Sequence, residues 1–178
     1  MARVLIRKLT LRDERRFLAA ARRSRELHGH YADPPLTPAG FRSQIDREQR
    51  PNRACHAIVD RATRELVGVI NLNEIVRGHF QSAYVGYYAF EPLAGRGLMS
   101  EGLGLVLRRA FGPLELHRVE ANIQPENARS IALVKRHGFR CEGYSPKYLK
   151  ICGRWRDHER WALVRESWRP GRRASRKR

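Results

Sequence analysis

The chain has 178 residues, of which 36 are basic and 18 are acidic, so its formal net charge is +18. This length lets one domain bury a core without disulfides or metal ions. The three cysteines are odd in number and lack C-x-x-C spacing, so we expect reduced thiols and no metal site. No apolar run reaches the length of a membrane span and no signal-peptide segment is present, so we expect a cytoplasmic protein.

The basic excess favours anionic partners such as RNA, phosphorylated cofactors or acidic surfaces. Surface arginine used only for solubility would give the same composition. Part of the charge lies in residues 169–178, RPGRRASRKR, which contain six basic residues and no acid. Because Pro170 and Gly171 disfavour a helix there, we expect a single domain over residues 1–168 followed by a disordered basic tail.

The first third of the chain predicts one strand and two helices. The run VLIRKLT, residues 4–10, is typical of a strand. Thr10 and Asp13 have the spacing of a capping box, which predicts that a helix begins here and continues through Phe17. Thr37 followed by Pro38 marks the start of a second, shorter helix.

Three strands and a helix are predicted next. The runs ACHAIVD (residues 54–60) and LVGVINLNE (residues 66–74) flank a turn-like segment and indicate a hairpin, and SAYVGYYAF (residues 82–90) indicates a third strand. From Leu98 to Phe111 apolar residues recur at helical spacing. The short stretch PLAGRGLMSEG, residues 92–102, therefore connects a strand to the start of a helix.

This stretch places Gly95 and Gly97 on either side of Arg96. The first amides of a helix lack intrahelical partners, and glycines let an anion approach them closely, so the loop suits a phosphate group. A tight turn without a ligand would have the same pattern. Ser100 stands where a Rossmann loop has its third glycine, and no P-loop sequence is present, so those two nucleotide sites are excluded.

The rest of the chain predicts a strand in HRVEANI (residues 117–123), a helix from Asn127, and a final hairpin. The strands of that hairpin, YSPKYLKI and RWRDHERWALV, flank a turn at Cys152 and Gly153. The predicted order is strand, two helices, three strands, helix, strand, helix and two strands. This order is typical of an α/β or α+β fold with a mixed sheet and helices on both faces.

Four segments resemble the GNAT superfamily of acetyl-CoA-dependent N-acetyltransferases, and within it the Rim-type ribosomal-protein alanine N-acetyltransferases. They are VRGHFQSAYVGYY, AGRGLMSEG, HRVEANIQPENARSIALVKRHGF with its N-x-x-S at Asn127 and Ser130, and EGYSPKYLKICGRWRDH. They follow the family's order over roughly residues 66 to 161. The resemblance implies a GNAT-like fold, with a mixed and mostly antiparallel sheet, and acetyl-CoA as the cofactor.

The resemblance also implies which residues hold that cofactor. Backbone amides of the glycine loop would bind the pyrophosphate of coenzyme A, and the strands beside the loop would separate to admit its pantetheine arm. The residues implied are Phe90, Glu91, Pro92, Leu93, Gly95, Arg96, Gly97, Leu98, Met99, Asn127 and Ser130, with residues 121–123 on the facing strand. Ala94 and Met99 depart from the commonest superfamily pattern, but contacts made through amides tolerate such changes.

Acyl transfer from a thioester needs a neutral amine and a donor that helps the thiolate to leave. An α-amino group, with a pKa near ~8, needs only a modest base, whereas a lysine side chain near ~10.4 needs a stronger one. Glu120 and Glu74 are candidate bases, although Glu120 could instead pair with a neighbouring arginine. Many relatives have a tyrosine acid where this chain has Val134, which leaves Ser130 and Tyr148 as the candidate donors.

Several of these residues have alternative roles. Ser130 could contact the backbone or the coenzyme only, and Tyr148 could line the acceptor pocket. Polar residues on apolar strands either line the acceptor site or form hydrogen bonds within the core. The residues expected on the acceptor side are Asn71, Asn73, Glu74, Tyr88 and Tyr148. Lys147 stands where some relatives have an acidic residue, which bears on the choice of acceptor.

The leading hypothesis is that the protein acetylates a protein N-terminal α-amine by direct attack through a tetrahedral intermediate. The acceptor would be a ribosomal protein beginning with Ala or Ser, and the basic surface and tail would contact rRNA. A second hypothesis is a small-amine acceptor such as an antibiotic, polyamine or dipeptide, and a third is a non-catalytic ribosome- or RNA-binding protein. An open acceptor groove favours a peptide, whereas a closed pocket favours a small molecule. Either a monomer or a homodimer is compatible with the sequence.

Overall fold

The computed structural model describes residues 2–169, so the predicted basic tail, apart from Arg169, lies outside the described residues. The strands are β1 (Val4–Lys8), β2 (Ala54–Asp60), β3 (Leu66–Val76), β4 (Ser82–Ala89), β5 (Arg118–Ile123), β6 (Arg140–Ile151) and β7 (Arg154–Val164). The helices are α1 (Glu14–Arg23), α2 (Arg25–His28), α3 (Pro38–Arg47), α4 (Leu98–Phe111) and α5 (Ala128–Arg136). Short 3-10 turns occupy Leu11–Asp13 and Arg165–Ser167.

One seven-stranded sheet organises the described residues, in the order β1-β2-β3-β4-β5-β7-β6. Neighbouring strands run antiparallel except for β4 and β5, which are parallel. The predicted fold, a mixed and mostly antiparallel sheet with helices on both faces, is therefore confirmed. The short helix α2 was not predicted, because its four residues are too few to show an apolar period.

Each face of the sheet has its own apolar core. On one face, Leu103 and Leu107 of α4 and Val134 of α5 are buried against the strands. On the other face, Phe17 of α1 and Phe41 of α3 pack with their ring centroids 4.8 Å apart. Because side chains alternate between the faces of a strand, neighbouring residues of β4 belong to different cores.

Local sequence signals explain where the helices begin. Thr10 and Asp13 form the predicted capping box, which opens a 3-10 turn leading into α1. Thr37 Oγ1 accepts a hydrogen bond from the amide of Gly40, so α3 begins at Pro38 as predicted. Asn127 caps α5 in the same way, because its Oδ1 accepts from the amide of Ser130 at 3.1 Å.

The parallel pairing of β4 and β5 is short. It covers three pairs, which end at Tyr84 with Glu120, after which the two strands separate. Meanwhile β4 stays paired with β3 as far as Ala89, and β5 stays paired with β7 as far as Ile123. The result is an opening between residues 85–89 and residues 121–123, which we call the fork. The glycine loop and α4 follow directly from its β4 side.

Candidate active site

The glycine loop leaves its backbone open to a ligand. Gly95 and Gly97 have φ values of +79° and +78°, a conformation that side chains disfavour. A Cβ added to Gly95 would meet nothing within 4 Å, and one on Gly97 would meet the guanidinium of Arg3 at 3.5 Å. The outer surface of the loop is therefore free of packing, and only glycine takes this path without strain.

The glycine loop contains backbone amides that donate no hydrogen bond within the described residues. Among the described residues, none of the amides of residues 95–99 donates a hydrogen bond, whereas those of Ser100 and Glu101 both donate to the carbonyl of Gly97. Free amides at the positive end of a fourteen-residue helix attract anions. The loop thus fits the pyrophosphate group that the sequence predicted for Gly95, Arg96, Gly97, Leu98 and Met99.

Arg3, which the sequence did not indicate, braces this loop from the start of β1. Its backbone amide and Nε donate to the carboxylate of Glu101 at 2.8 and 2.6 Å. Its second guanidinium nitrogen donates to the carbonyl of Arg96 at 3.2 Å. Because 98 residues separate Arg3 from Glu101, no local pattern could have predicted the pair.

The main chain at the end of β4 is bound by Arg23 of α1, by His28 of α2 and by Ser24, which lies between the two helices. Arg23 donates two hydrogen bonds to the carbonyl of Glu91, and the amide of Glu91 donates to Ser24 Oγ at 2.9 Å. His28 Nε2 lies 2.8 Å from the carbonyl of Ala89, and burial lowers the pKa of His28. We call Arg23, Ser24 and His28 the α1–α2 clamp. It fixes the main chain where the fork meets the glycine loop.

The segment from Phe90 to Leu93 is engaged within the protein. The amide of Phe90 donates to Val67, and its carbonyl accepts from Leu93. The side chains of Phe90 and Leu93 are buried in the two cores, and Glu91 is held by the clamp. The backbone N–H and C=O groups of successive residues point to opposite sides of a strand. Because the N–H of Phe90 points towards β3, the backbone groups of Tyr87 point towards the fork. The roles predicted for Phe90, Glu91, Pro92 and Leu93 remain predictions.

Two hydroxyl groups meet beside the fork, on the face of the sheet that α4 and α5 cover. Tyr87 on β4 reaches α5, where its phenol oxygen lies 2.6 Å from Ser130 Oγ. Burial raises the pKa of Tyr87 to about 12, in spite of its hydrogen bond to Ser130. Val134, which replaces the tyrosine of many relatives, is fully buried in the core. Ser130 is therefore the residue of α5 that presents a hydroxyl at this place, and Asn127 fixes its amide.

Two predicted site residues, Glu120 and Tyr148, both lie near Tyr84 at the closed end of the fork. Glu120 pairs across the sheet with Tyr84, and the pKa of Tyr84 is raised by burial and then by its neighbours Tyr148 and Glu120. Glu120 accepts a hydrogen bond from Arg118 Nε at 2.8 Å, and Arg118 also binds Glu142. The ion pair foreseen as an alternative role for Glu120 is thus present. The carboxylate still has 23% of its side chain exposed.

The remaining acceptor-side residues spread along β3. Asn73 Oδ1 accepts from Arg53 at 3.0 Å, and Glu74 accepts from Arg53 at 3.3 Å and from Asn52 at 3.1 Å. Glu74 is largely exposed and lies at a positive φ of 48°. Within the described residues, the buried Oδ1 of Asn71 has no hydrogen-bond partner. Asn71 therefore has a side-chain oxygen that is available to accept a hydrogen bond from a substrate.

Tyr88 lies in the core of α1 and α3. Its ring packs edge-on against Phe17, His28 and Phe90, and its hydroxyl accepts from Gln44 at 3.3 Å. Burial raises the pKa of Tyr88 well above its usual range. This is the core hydrogen-bond role that the sequence left open beside an acceptor role.

Residues 2–169 also bear on whether the protein has a membrane span or a metal site. No helix there is long and apolar enough to span a membrane. No group of three or more His, Cys, Asp or Glu side chains comes together there in a way that could hold a metal ion. The cysteines are free thiols, with Cys55 buried and Cys141 and Cys152 exposed.

Residues 3–140, most of the chain, match the family model of the acetyltransferase (GNAT) domain. The chain belongs to the GNAT acetyltransferase family. The family predicted from the sequence is thereby confirmed, and acetyl-CoA is the cofactor of GNAT acetyltransferases. The free amides of the glycine loop fit the phosphate groups of that cofactor.

Among characterised GNAT relatives, the ribosomal protein uS5-alanine N-acetyltransferase of Escherichia coli (strain K12) is 42% identical over 115 residues, which are 65% of this chain and 59% of that protein. The chain thus matches about three fifths of the length of that relative. The probable N-acetyltransferase YjcK of Bacillus subtilis (strain 168) is 34% identical over 137 residues, 75% of this chain and 76% of its own. The solved structure of Mycobacterium smegmatis RimJ in complex with CoA-disulfide aligns with a TM-score of 0.83 and 26% identity, covering 92% of this chain and 82% of that one.

Proposed function

We propose that this protein transfers the acetyl group of acetyl-CoA to the N-terminal α-amino group of a ribosomal protein that begins with Ala or Ser. The observation that carries the proposal is the position of Glu120, a partly exposed carboxylate at the closed end of the fork. A carboxylate is by its nature a weak base. It suits an α-amine, which is partly neutral near pH 7, better than a lysine side chain.

Each part of the site has a task in this reaction. The amides of residues 95–99 hold the pyrophosphate and so place the thioester in the fork. Glu120 takes the proton of the incoming amine, directly or through a water molecule, as the nitrogen attacks the carbonyl carbon. Ser130 donates a hydrogen bond to the sulfur as the carbon–sulfur bond breaks. Tyr148 and Asn71 line the acceptor side and orient the peptide.

The exposure of residues on the acceptor side favours a peptide over a small amine as the substrate that is acetylated. Tyr84 is 37% exposed beside Glu120, and Glu74, which follows the Asn73 that pairs with Tyr84, has 55% of its side chain exposed. The rest of a bound peptide can extend into solvent from such a surface, whereas a small amine is held best in a closed pocket. The 42% identity to an enzyme named for alanine of uS5 supports the choice of ribosomal protein.

The net charge of +18 supports recruitment to rRNA, which would place the reaction in the cytoplasm. Exposed arginines on α1, including Arg15 and Arg16, present part of that charge in the described residues. Association should weaken steeply as salt rises, while turnover of a short peptide changes little. Association that is indifferent to salt would contradict this part of the proposal.

Intact-mass profiling of ribosomal proteins, from cells with and without the gene, tests the proposed acceptor. We expect one ribosomal protein to lose a single acetyl group, and complementation with Glu120→Gln to restore little of it. The purified protein should acetylate an octapeptide with that N-terminus and leave the same octapeptide with a blocked N-terminus unmodified. Turnover of spermidine but of no peptide would favour the small-amine hypothesis. Ribosome binding without turnover of either would favour a non-catalytic role.

A further inference from the structure

Tyr87 has no role predicted from the sequence, and the role that we infer for it rests on the proposed function of the fork. Tyr87 lies on the part of β4 that has separated from β5, and its side chain is on the same face of the sheet as α4 and α5. Its phenol oxygen is 2.6 Å from Ser130 Oγ and 3.4 Å from the carbonyl of Ser130. Both hydrogen-bond partners of this phenol therefore belong to Ser130.

The direction of the short hydrogen bond follows from the chemistry of the two hydroxyls. A phenol is a stronger donor and a weaker acceptor than an aliphatic alcohol, and its single hydrogen has Ser130 Oγ at 2.6 Å against the carbonyl of Ser130 at 3.4 Å, so Tyr87 donates to Oγ. Because burial raises the pKa of Tyr87 to about 12, the phenol keeps its proton at physiological pH. Ser130 Oγ thus receives one hydrogen bond and keeps its own hydrogen for another partner.

Ser130 is also fixed from its other side. Its amide donates to Asn127 Oδ1 at 3.1 Å, which sets the backbone at the start of α5. Among the described residues, the serine hydroxyl has no hydrogen-bond partner other than Tyr87. With the backbone held by Asn127 and Oγ held by Tyr87, the remaining hydrogen is left for a ligand in the neighbouring fork.

We propose that Tyr87 is a positioning residue that orients the hydroxyl of Ser130 towards the sulfur of coenzyme A. As the amine nitrogen bonds to the carbonyl carbon, the carbon–sulfur bond breaks and its electron pair stays on sulfur. Ser130 stabilises that thiolate with a hydrogen bond, while the proton lost by the amine goes to Glu120 or water. Tyr87 touches no reacting atom and acts through Ser130.

The first test needs no acceptor, because it measures the pKa of the thiol of bound coenzyme A. The ultraviolet absorbance of the thiolate is titrated in the complex, and the absorbance of the protein alone, which includes its own cysteines, is subtracted. A hydrogen bond from Ser130 favours the thiolate, so Ser130→Ala should raise the thiol pKa by about one unit. Tyr87→Phe should raise it by part of that amount. Tyr144→Phe, which removes an exposed phenol hydroxyl bound to Asp157, is the matched control and should leave it unchanged.

The second test compares single and double variants in acetyl transfer to an Ala-initiated octapeptide or to spermidine. Ser130→Ala should lower kcat by roughly 100-fold and Tyr87→Phe by roughly tenfold, with the KM for acetyl-CoA nearly unchanged. Because Tyr87 acts through Ser130, adding Tyr87→Phe to Ser130→Ala should have no further effect. A purely structural role would instead lower kcat equally in both backgrounds, with a lowered melting temperature.

The outcomes separate the two proposals. If the peptide is not a substrate but the thiol pKa shifts as expected, the acceptor assignment fails while the role of Tyr87 stands. If Tyr87→Phe leaves the thiol pKa at the wild-type value, or if its effect on kcat is additive with that of Ser130→Ala, the role of Tyr87 is overturned. A thiol pKa that is unchanged in Ser130→Ala would overturn it as well, because Ser130 would then not reach the sulfur.

Discussion

Replacing Gly97 with aspartate is the most direct perturbation of the proposed cofactor loop. Gly97 precedes α4, lies at a φ of +78° and borders the free amides of the loop. The new carboxylate would sit beside the same amides that a phosphate group needs, and within reach of Arg3. We therefore expect a folded protein that binds coenzyme A poorly.

Two contributions set the size of the effect. The positive φ costs about 1 kcal/mol of folding free energy for a residue with a side chain, which the fold should tolerate. A carboxylate about 5 Å from a phosphate charge is repelled by about 1 to 3 kcal/mol, depending on the local dielectric. The dissociation constant of coenzyme A should thus rise by about 5- to 150-fold, before any loss of close approach is counted.

Isothermal titration calorimetry with coenzyme A measures this change, and the chain offers a matched control. Gly78 also has a positive φ, of +67°, and an added Cβ there meets nothing within 4 Å. Gly78→Asp introduces the same charge and a similar strain in the β3–β4 connection, away from the loop. Only Gly97→Asp should lose affinity, and the loss should shrink at high salt. Equal affinities in the two variants would refute the assignment of the loop.

Three further predictions concern other parts of the molecule. Phe41→Ala removes a fully buried ring and should lower the unfolding free energy by about 3 to 5 kcal/mol in urea titrations; a loss below about 1 kcal/mol would contradict the packing described. Burial lowers the pKa of His56 to about 4, whereas in the unfolded chain it has the ordinary value of about 6.5. As the pH falls below about 6.5, only the unfolded state binds a proton at His56, so the unfolding free energy should fall by up to about 3 kcal/mol by pH 4. His56→Gln should therefore show a shallower dependence of unfolding free energy on pH, and an identical slope would be inconsistent with this account. Arg118→Gln removes the guanidinium that binds the Glu120 carboxylate and holds it in place, so kcat with an Ala-initiated octapeptide should fall by roughly tenfold, and an unchanged kcat would contradict this role of Arg118.

The sequence predicted those features that depend on adjacent residues. Thr37 and Pro38 mark a helix start because the capping atoms and the fixed φ of proline act within one turn. Cys152 and Gly153 mark a hairpin because two positive φ values, 50° and 77°, close the turn between β6 and β7. The family resemblance then implied a mixed, mostly antiparallel sheet, which no local signal contains.

The features that the sequence did not reveal depend on sheet geometry. Tyr87 and Ser130 are 43 residues apart, and nothing in the run of residues 82–90 says which tyrosine faces the fork. In the structure, Tyr87 reaches α5 while the adjacent Tyr88 points into the core of α1 and α3, because side chains alternate along a strand. Choosing between them requires knowing which helices cover which face.

The α1–α2 clamp affects which parts of this fold can change. Arg23, Ser24 and His28 hold the carbonyl or amide groups of Ala89 and Glu91, so their contacts do not depend on the side chains of those two residues. The exposed surfaces of α1 and α3 can therefore diverge while these anchors keep the strand end in place. Exchange of those surfaces between relatives would then preserve the path of the glycine loop as long as the three anchors are retained. In this arrangement, the path of the loop and the outer surface of the helices are separable traits on which selection can act independently.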